Sequence, residues 1–91
     1  MIGMLCGKLI EKDFSSCLLD VSGVGFEVAI ALSTFDKLPL ENESVKLFIH
    51  TSVREDAITL FGFADKEEKK LFQQLIAISG IGGKLALNVL S

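Results

Sequence analysis

A small β-barrel followed by two short helices is the fold class this sequence predicts: mainly β, with α at its end. Three observations carry the expectation. Five short runs of β-type residues separated by turn chemistry fill residues 1–63, the hydrophobic period changes once near residue 64, and apolar residues then recur at helical spacing to the end. At 91 residues the chain has room for one compact unit with a short appendage, not for two independent cores. Residues 1–63 are accordingly expected to form a barrel domain, and residues 64–91 the start of an incomplete helical one.

The elements follow in order. The first run covers residues 1–12 and ends at Asp13-Phe14-Ser15-Ser16; the second covers residues 17–21 and ends at Ser22-Gly23-Val24-Gly25. The third, residues 26–32, places Phe26, Val28, Ile30 and Leu32 on one face and Glu27, Ala29 and Ala31 on the other, the alternation of a half-buried strand. Residues 33–38 read as a helical turn, closed by Pro39 and Glu41-Asn42-Glu43. In the fourth run Val45, Leu47, Ile49 and Thr51 alternate with Lys46, Phe48 and His50, and the fifth is residues 58–63. Five strands with a helical turn between the third and fourth suit a closed barrel of OB type, because closure removes exposed edges; an SH3-like barrel has a similar signature.

Beyond residue 64, Asp65 with Glu68 makes a capping box and the acidic first turn suits the helix dipole. Leu71, Phe72, Leu75, Ile76 and Ile78 form the apolar stripe. Ser79-Gly80 should end this helix, since glycine accepts the left-handed conformation of a C-terminal cap. A second helix is expected over residues 84–90, with the chain ending inside it.

Composition narrows the function. Hydrophobic residues make up 49% and mean hydropathy is +0.50, which excludes general disorder and, at this length, points to self-association or a missing neighbouring segment. A net charge of −3 argues against nucleic acid, but residues 1–62 hold five Lys/Arg against nine Asp/Glu, whereas residues 63–91 hold four Lys against three acids. Any DNA contact belongs in the C-terminal third. Cys6 and Cys17 form no C-x-x-C and His50 is the single histidine, so no metal or redox cofactor is expected, and both cysteines read as apolar strand residues. No catalytic triad can be assembled, Glu55 and Asp56 would face opposite ways on an extended segment, and no ATP-binding loop is present. The opening residues lack a signal peptide's uninterrupted core and no run approaches the ~20 apolar residues of a membrane span. A reducing cytoplasm is the expected compartment.

The informative segment is Ser79-Gly80-Ile81-Gly82-Gly83-Lys84-Leu85-Ala86-Leu87-Asn88-Val89-Leu90. It resembles a helix-hairpin-helix: an apolar helix, a Gly-apolar-Gly hairpin, a small residue four positions later (Ala86) and an apolar pair (Val89, Leu90). The glycines let backbone approach a phosphate, the first amides of the second helix are unpaired donors, and the dipole there favours an anion. Ile81 would hold the hairpin between the helices and Lys84 add a positive charge. Such contacts read the sugar-phosphate backbone, so binding should ignore base sequence. A tight turn between core helices is the plainer alternative, which Ala86 and the apolar pair disfavour.

Five blocks stand in order along the chain: Met1-Ile2-Gly3, Asp20-Val21 with Gly23-Val24-Gly25-Phe26-Glu27-Val28, Val53-Arg54-Glu55-Asp56-Ala57, Leu60-Phe61-Gly62-Phe63, and Ser79-Gly80-Ile81-Gly82 with Lys84-Leu85-Ala86-Leu87. By their order and spacing the chain resembles the RuvA family along its whole length. The resemblance implies a DNA-binding role at four-way (Holliday) junctions in recombination and repair. It implies an OB-fold domain assembled as a homotetramer or octamer, with residues 79–84 on the duplex arms. Glu55 and Asp56 match an acidic pin near the junction centre, where carboxylates oppose close approach of phosphates. Arg54 matches too, either tethering a strand or pairing with a carboxylate; without the family match the three would read as a solvated turn. A RuvB-type ATPase motor and a RuvC-type resolvase are the implied partners, and ATP hydrolysis belongs to the motor.

The chain departs from the family where Met4 and Cys6 replace basic residues, where Phe26 and Phe61 often give way to Tyr, and where Gly83 replaces proline. The first two weaken any DNA contact from the first strand, and Gly83 should loosen the second helix's start. Two further readings stay open. A single-strand-binding OB module needs exposed aromatics interleaved with basic residues, and the seven phenylalanines sit mostly in apolar runs. A pure oligomerisation scaffold fits the apolar excess.

Overall fold

The computed structural model describes the backbone of residues 1–91 and every side chain except that of Ser79. Five strands, β1 (Met4–Lys12), β2 (Ser16–Val21), β3 (Val24–Ile30), β4 (Ser44–Val53) and β5 (Ile58–Phe63), close into a barrel in the order β1-β2-β3-β5-β4. All pairings are antiparallel except β3 with β5. The short helix α1 (Leu32–Phe35) crosses between β3 and β4, and α2 (Lys66–Ser79) and α3 (Gly83–Leu90) follow the barrel. This is the OB-type arrangement the strand count suggested.

Local chemistry explains the corners. The Asp13 carboxylate accepts from the backbone N–H groups of Ser15 and Ser16, both at 2.8 Å, which closes the β1–β2 turn and holds that carboxyl below its ordinary range. Asp20 accepts from the N–H of Gly23 at 2.8 Å, beside Ser22 at φ 53° and Gly23 at φ 91°. At Gly7 a side chain would run into the Asp20 carbonyl and lie 2.9 Å from Val21 Cγ2, so only glycine lets β1 and β2 approach there. The register shifts between Leu9 and Glu11, a bulge that bends β1 around the barrel.

Two apolar clusters stack one outside the other. Leu5, Leu9, Cys17, Leu19, Val28, Ile30, Leu47, Ile49 and Leu60 fill the barrel. Ala31, Phe61, Phe63, Phe72, Ala86 and Leu87 form a second layer between the barrel wall and the helices. Strand β5 therefore buries both faces: Leu60 points inward and Phe61 and Phe63 lie under α2. A half-buried surface strand would not be buried at four consecutive positions, as Leu60 to Phe63 are.

The helices are tied down by polar contacts as well. Asp65 caps α2, accepting from the N–H of Glu68 at 2.8 Å. Glu68 does not complete the capping box; its carboxylate takes the Ser33 hydroxyl and the Lys37 ammonium, both at 3.0 Å, and so joins α2 to the α1 region. At the other end the Ser91 hydroxyl accepts from the N–H of Leu32 at 3.1 Å and donates to the Leu87 carbonyl at 2.9 Å.

Four expectations from the sequence need correction. Leu32 leaves β3 to begin α1 and is exposed, because the strand ends at Ile30. Leu71 and Ile78 lie on the outer side of α2, Ile78 being 86% exposed, since the barrel wall reaches only the arc holding Phe72, Leu75 and Ile76. Cys6 is exposed because its position in β1 faces outward, whereas Cys17 is the apolar strand residue expected, its thiol pushed up to about 11 by burial and secondly by the Asp13 carboxylate. The second helix begins at Gly83, one residue earlier than read from the sequence.

Candidate nucleic-acid interface

The hairpin between α2 and α3 takes its shape from its glycines. Gly80 ends α2 at φ 67°, in the left-handed region, and Gly82 caps α3 in an extended conformation. Nothing lies within 4 Å of where a side chain at Gly80 or Gly82 would sit, so this edge is open to a ligand's approach. The carbonyl of Gly82 receives the N–H of Ala86 at 3.0 Å. The amides of Gly83, Lys84 and Leu85 precede that bond and have no carbonyl a turn earlier within α3 to accept from them. Lys84 and Leu85 are exposed. Partial positive charge therefore gathers at this helix start.

Ile81 turns into the second cluster and pins the hairpin from beneath, and Ala86 is fully buried there. Leu90 packs on the same cluster, whereas Val89 is exposed. Gly83 has a packing reason as well. A side chain there would meet the Phe61 ring, coming within 2.8 and 2.9 Å of Cε1 and Cε2. Glycine lets the start of α3 rest directly on that ring, so the position is braced by contact rather than simply loosened.

An open cleft of ≈ 260 Å³ runs beside the hairpin, lined by Ser52, Arg54, Thr59, Phe61, Gly82, Gly83, Lys84 and Leu85. Arg54 and Lys84 thus share one concavity, and neither forms an ion pair among the described residues. A recess on the other side joins Lys84 to Glu27 and Thr59. Two cations, two hydroxyls and a helix start with open amides make an environment suited to a phosphate.

Glu55 and Asp56 sit on the exposed loop between β4 and β5, closed by the Arg54 N–H donating to the Ala57 carbonyl at 2.8 Å. Arg54 lines the cleft and forms no ion pair with either carboxylate of the loop. The side chain of Ser79 lies outside the described residues.

Sequence reading missed Ser52, Thr59 and Phe61 as parts of this surface. The signal was present in alternation: His50 and Ser52 share the outer face of β4, with Arg54 just beyond its end, and Thr59 and Phe61 share that of β5. Among the described residues no cluster of His, Cys, Asp and Glu fits a metal ion, and no helix is long and apolar enough to cross a membrane.

Comparison with known proteins gives this geometry a family context. A family model described as the RuvA N terminal domain matches residues 1–62. Over all 91 residues the chain is 57% identical to the Holliday junction branch migration complex subunit RuvA of Laribacter hongkongensis, covering 45% of that protein. It is 52% identical to the subunit of the same name from Acidobacterium capsulatum and 53% to that of Neisseria meningitidis serogroup C, covering 46% and 47% of them. The chain spans a little under half the length of these relatives.

Proposed function

This chain belongs to the RuvA N-terminal domain family, and on that premise we propose that it is a non-catalytic piece of a branch migration complex that grips four-way junction DNA. The observation that carries the reading is the cleft where Arg54 and Lys84 meet the open start of α3. Residues 79–84 hold a duplex arm by its phosphates, without regard to base sequence. Glu55 and Asp56, exposed one loop away, act as an acidic pin that opposes collapse of the strands at the junction centre. Residues 1–63 serve as the assembling barrel domain and residues 64–91 as the DNA-gripping unit. The assembly is a homotetramer or octamer in the cytoplasm, working with a RuvB-type ATPase and a RuvC-type resolvase; this chain turns over no ATP and needs no cofactor.

A scaffold reading draws on the exposed apolar residues of the helical pair, Leu71, Ile78, Leu85 and Val89. The single-strand reading finds its nearest match at Phe48, whose ring has Lys46 and Lys66 at 5.5 and 5.8 Å. One competition experiment separates the three: a labelled synthetic four-way junction challenged with linear duplex or single strand of equal length, over a range of salt. The junction is expected to resist both competitors, with affinity falling linearly in log salt by about 0.9 per phosphate contacted. Equal competition by duplex would contradict the junction reading, failure to bind the junction at all would favour the scaffold, and preferential displacement by single strand the OB-module reading.

A further inference from the structure

His50 is the single histidine of the sequence, and the fold places it at the joint between barrel and helices. It stands on the outer face of β4, half-buried, with its ring 5.4 Å from that of Phe72 in an edge contact and 6.3 Å from that of Phe61. The Gln73 side-chain amide donates to its Nδ1 at 3.2 Å. An amide nitrogen can only donate, so this contact needs Nδ1 unprotonated, with the imidazole proton on Nε2. Phe61 in turn is the ring on which Gly83 rests. A continuous chain of contacts thus runs from α2 through His50 and Phe61 to the start of α3.

We infer that His50, as a neutral imidazole, is a positioning residue for the hairpin: it keys α2 to the barrel through Gln73 and braces the Phe61 ring beneath Gly83. The inference rests on the reading of that hairpin as the phosphate-gripping element. It also makes the joint sensitive to acid. Burial, and secondly the charge of Lys69, hold the imidazole below its ordinary value. Lys69 is the charged group facing it from α2, where it also reaches the Gly3 carbonyl at 3.5 Å. From β5 Phe61 and from α2 Phe72 and Gln73 bring no charge; Arg54 from the end of β4 and Lys84 from α3 line the cleft beyond Phe61. The charge that acts on it, that of Lys69, is a cation, and an imidazolium there meets no carboxylate among the neighbours named.

The sign follows. The unfolded chain takes up this proton more readily than the folded one, so the contribution of His50 is complete above the ordinary histidine value. It is lost as pH falls through that value toward the depressed folded one.

The test compares wild type with His50→Gln, which offers Gln73 an acceptor that gains no proton. Junction binding and amide hydrogen exchange in α3 are followed from about pH 7.5 to about pH 5, the range in which an ordinary histidine titrates. At the upper end His50→Gln should bind no better than wild type, since it keeps an acceptor for Gln73 but loses the ring against Phe61. Toward the lower end wild type should lose at least about threefold relative to the variant, with an acid-induced rise in α3 exchange in wild type alone. A pH-independent ratio, or a relative gain by wild type, would overturn the inference. If neither protein prefers the junction at the upper pH, the reading of the hairpin has failed, and the exchange data still decide the role of His50. Should His50→Gln not fold, Gln73→Glu supplies the imidazolium with a carboxylate and is expected to abolish the acid-induced rise in exchange; its persistence would overturn the inference equally.

Discussion

Phe72→Ala is expected to destabilise the chain by about 3–5 kcal/mol and to free the helical pair from the barrel. Phe72 is fully buried, with its ring 5.0 Å from those of both Phe61 and Phe63 and 5.4 Å from that of His50. Among the described side chains of α2 it is the one inserted completely into the second cluster, while Leu75 and Ile76 cover its flank. Truncation leaves a cavity between two surfaces that the short tethers at Asp65 and Ser91 cannot draw closed. Since a domain of this size is stable by only about 5–15 kcal/mol, a large share of its stability would go. Chemical denaturation measures the loss, and a change below about 1 kcal/mol would mean that α2 does not depend on the barrel wall.

Lys84→Glu is expected to weaken junction binding by about 10- to 100-fold, the scale of a lost charge-assisted hydrogen bond with repulsion in its place. The same change should not unfold the protein. Lys84 is exposed in the first turn of α3, where a carboxylate interacts favourably with the helix dipole, so thermal stability should hold or rise slightly. Neutralising the loop with Glu55→Gln and Asp56→Asn should cost much less, because those carboxylates repel phosphate rather than bind it. Gel-shift titrations of the variants give the order directly, and a larger loss from the loop pair would contradict the assignment of roles.

The barrel was legible because each strand signals itself locally. Alternation in β4 and turn chemistry at Asp13-Phe14-Ser15-Ser16 and Ser22-Gly23 depend on near neighbours, and the bounds of β5 matched those read from its residues. The hairpin was legible for the same reason, since the left-handed Gly80 and the capping Gly82 are conformational requirements of the chain itself. What escaped was tertiary. Periodicity placed Leu71 and Ile78 with Phe72, but only the curvature of the barrel decides how wide an arc of α2 it covers. Glu68 fitted a capping box until Ser33 and Lys37, more than thirty residues earlier, claimed its carboxylate. Gly83 seemed a weaker proline until Phe61 was found beneath it, and His50 seemed alone because its partner Gln73 belongs to another element.

The central claim is that main-chain donors at the start of α3, aided by Lys84 and Arg54, hold DNA by its phosphates. Amide-resolved NMR during addition of a four-way junction tests it most directly. The account predicts that the amides of Gly83, Lys84 and Leu85 move first and farthest, and by the same amounts for junctions of unrelated base sequence. If those three stay in place while the outer faces of β1 and β4 around Cys6 and Phe48 respond, the protein meets DNA through its barrel and the account is wrong.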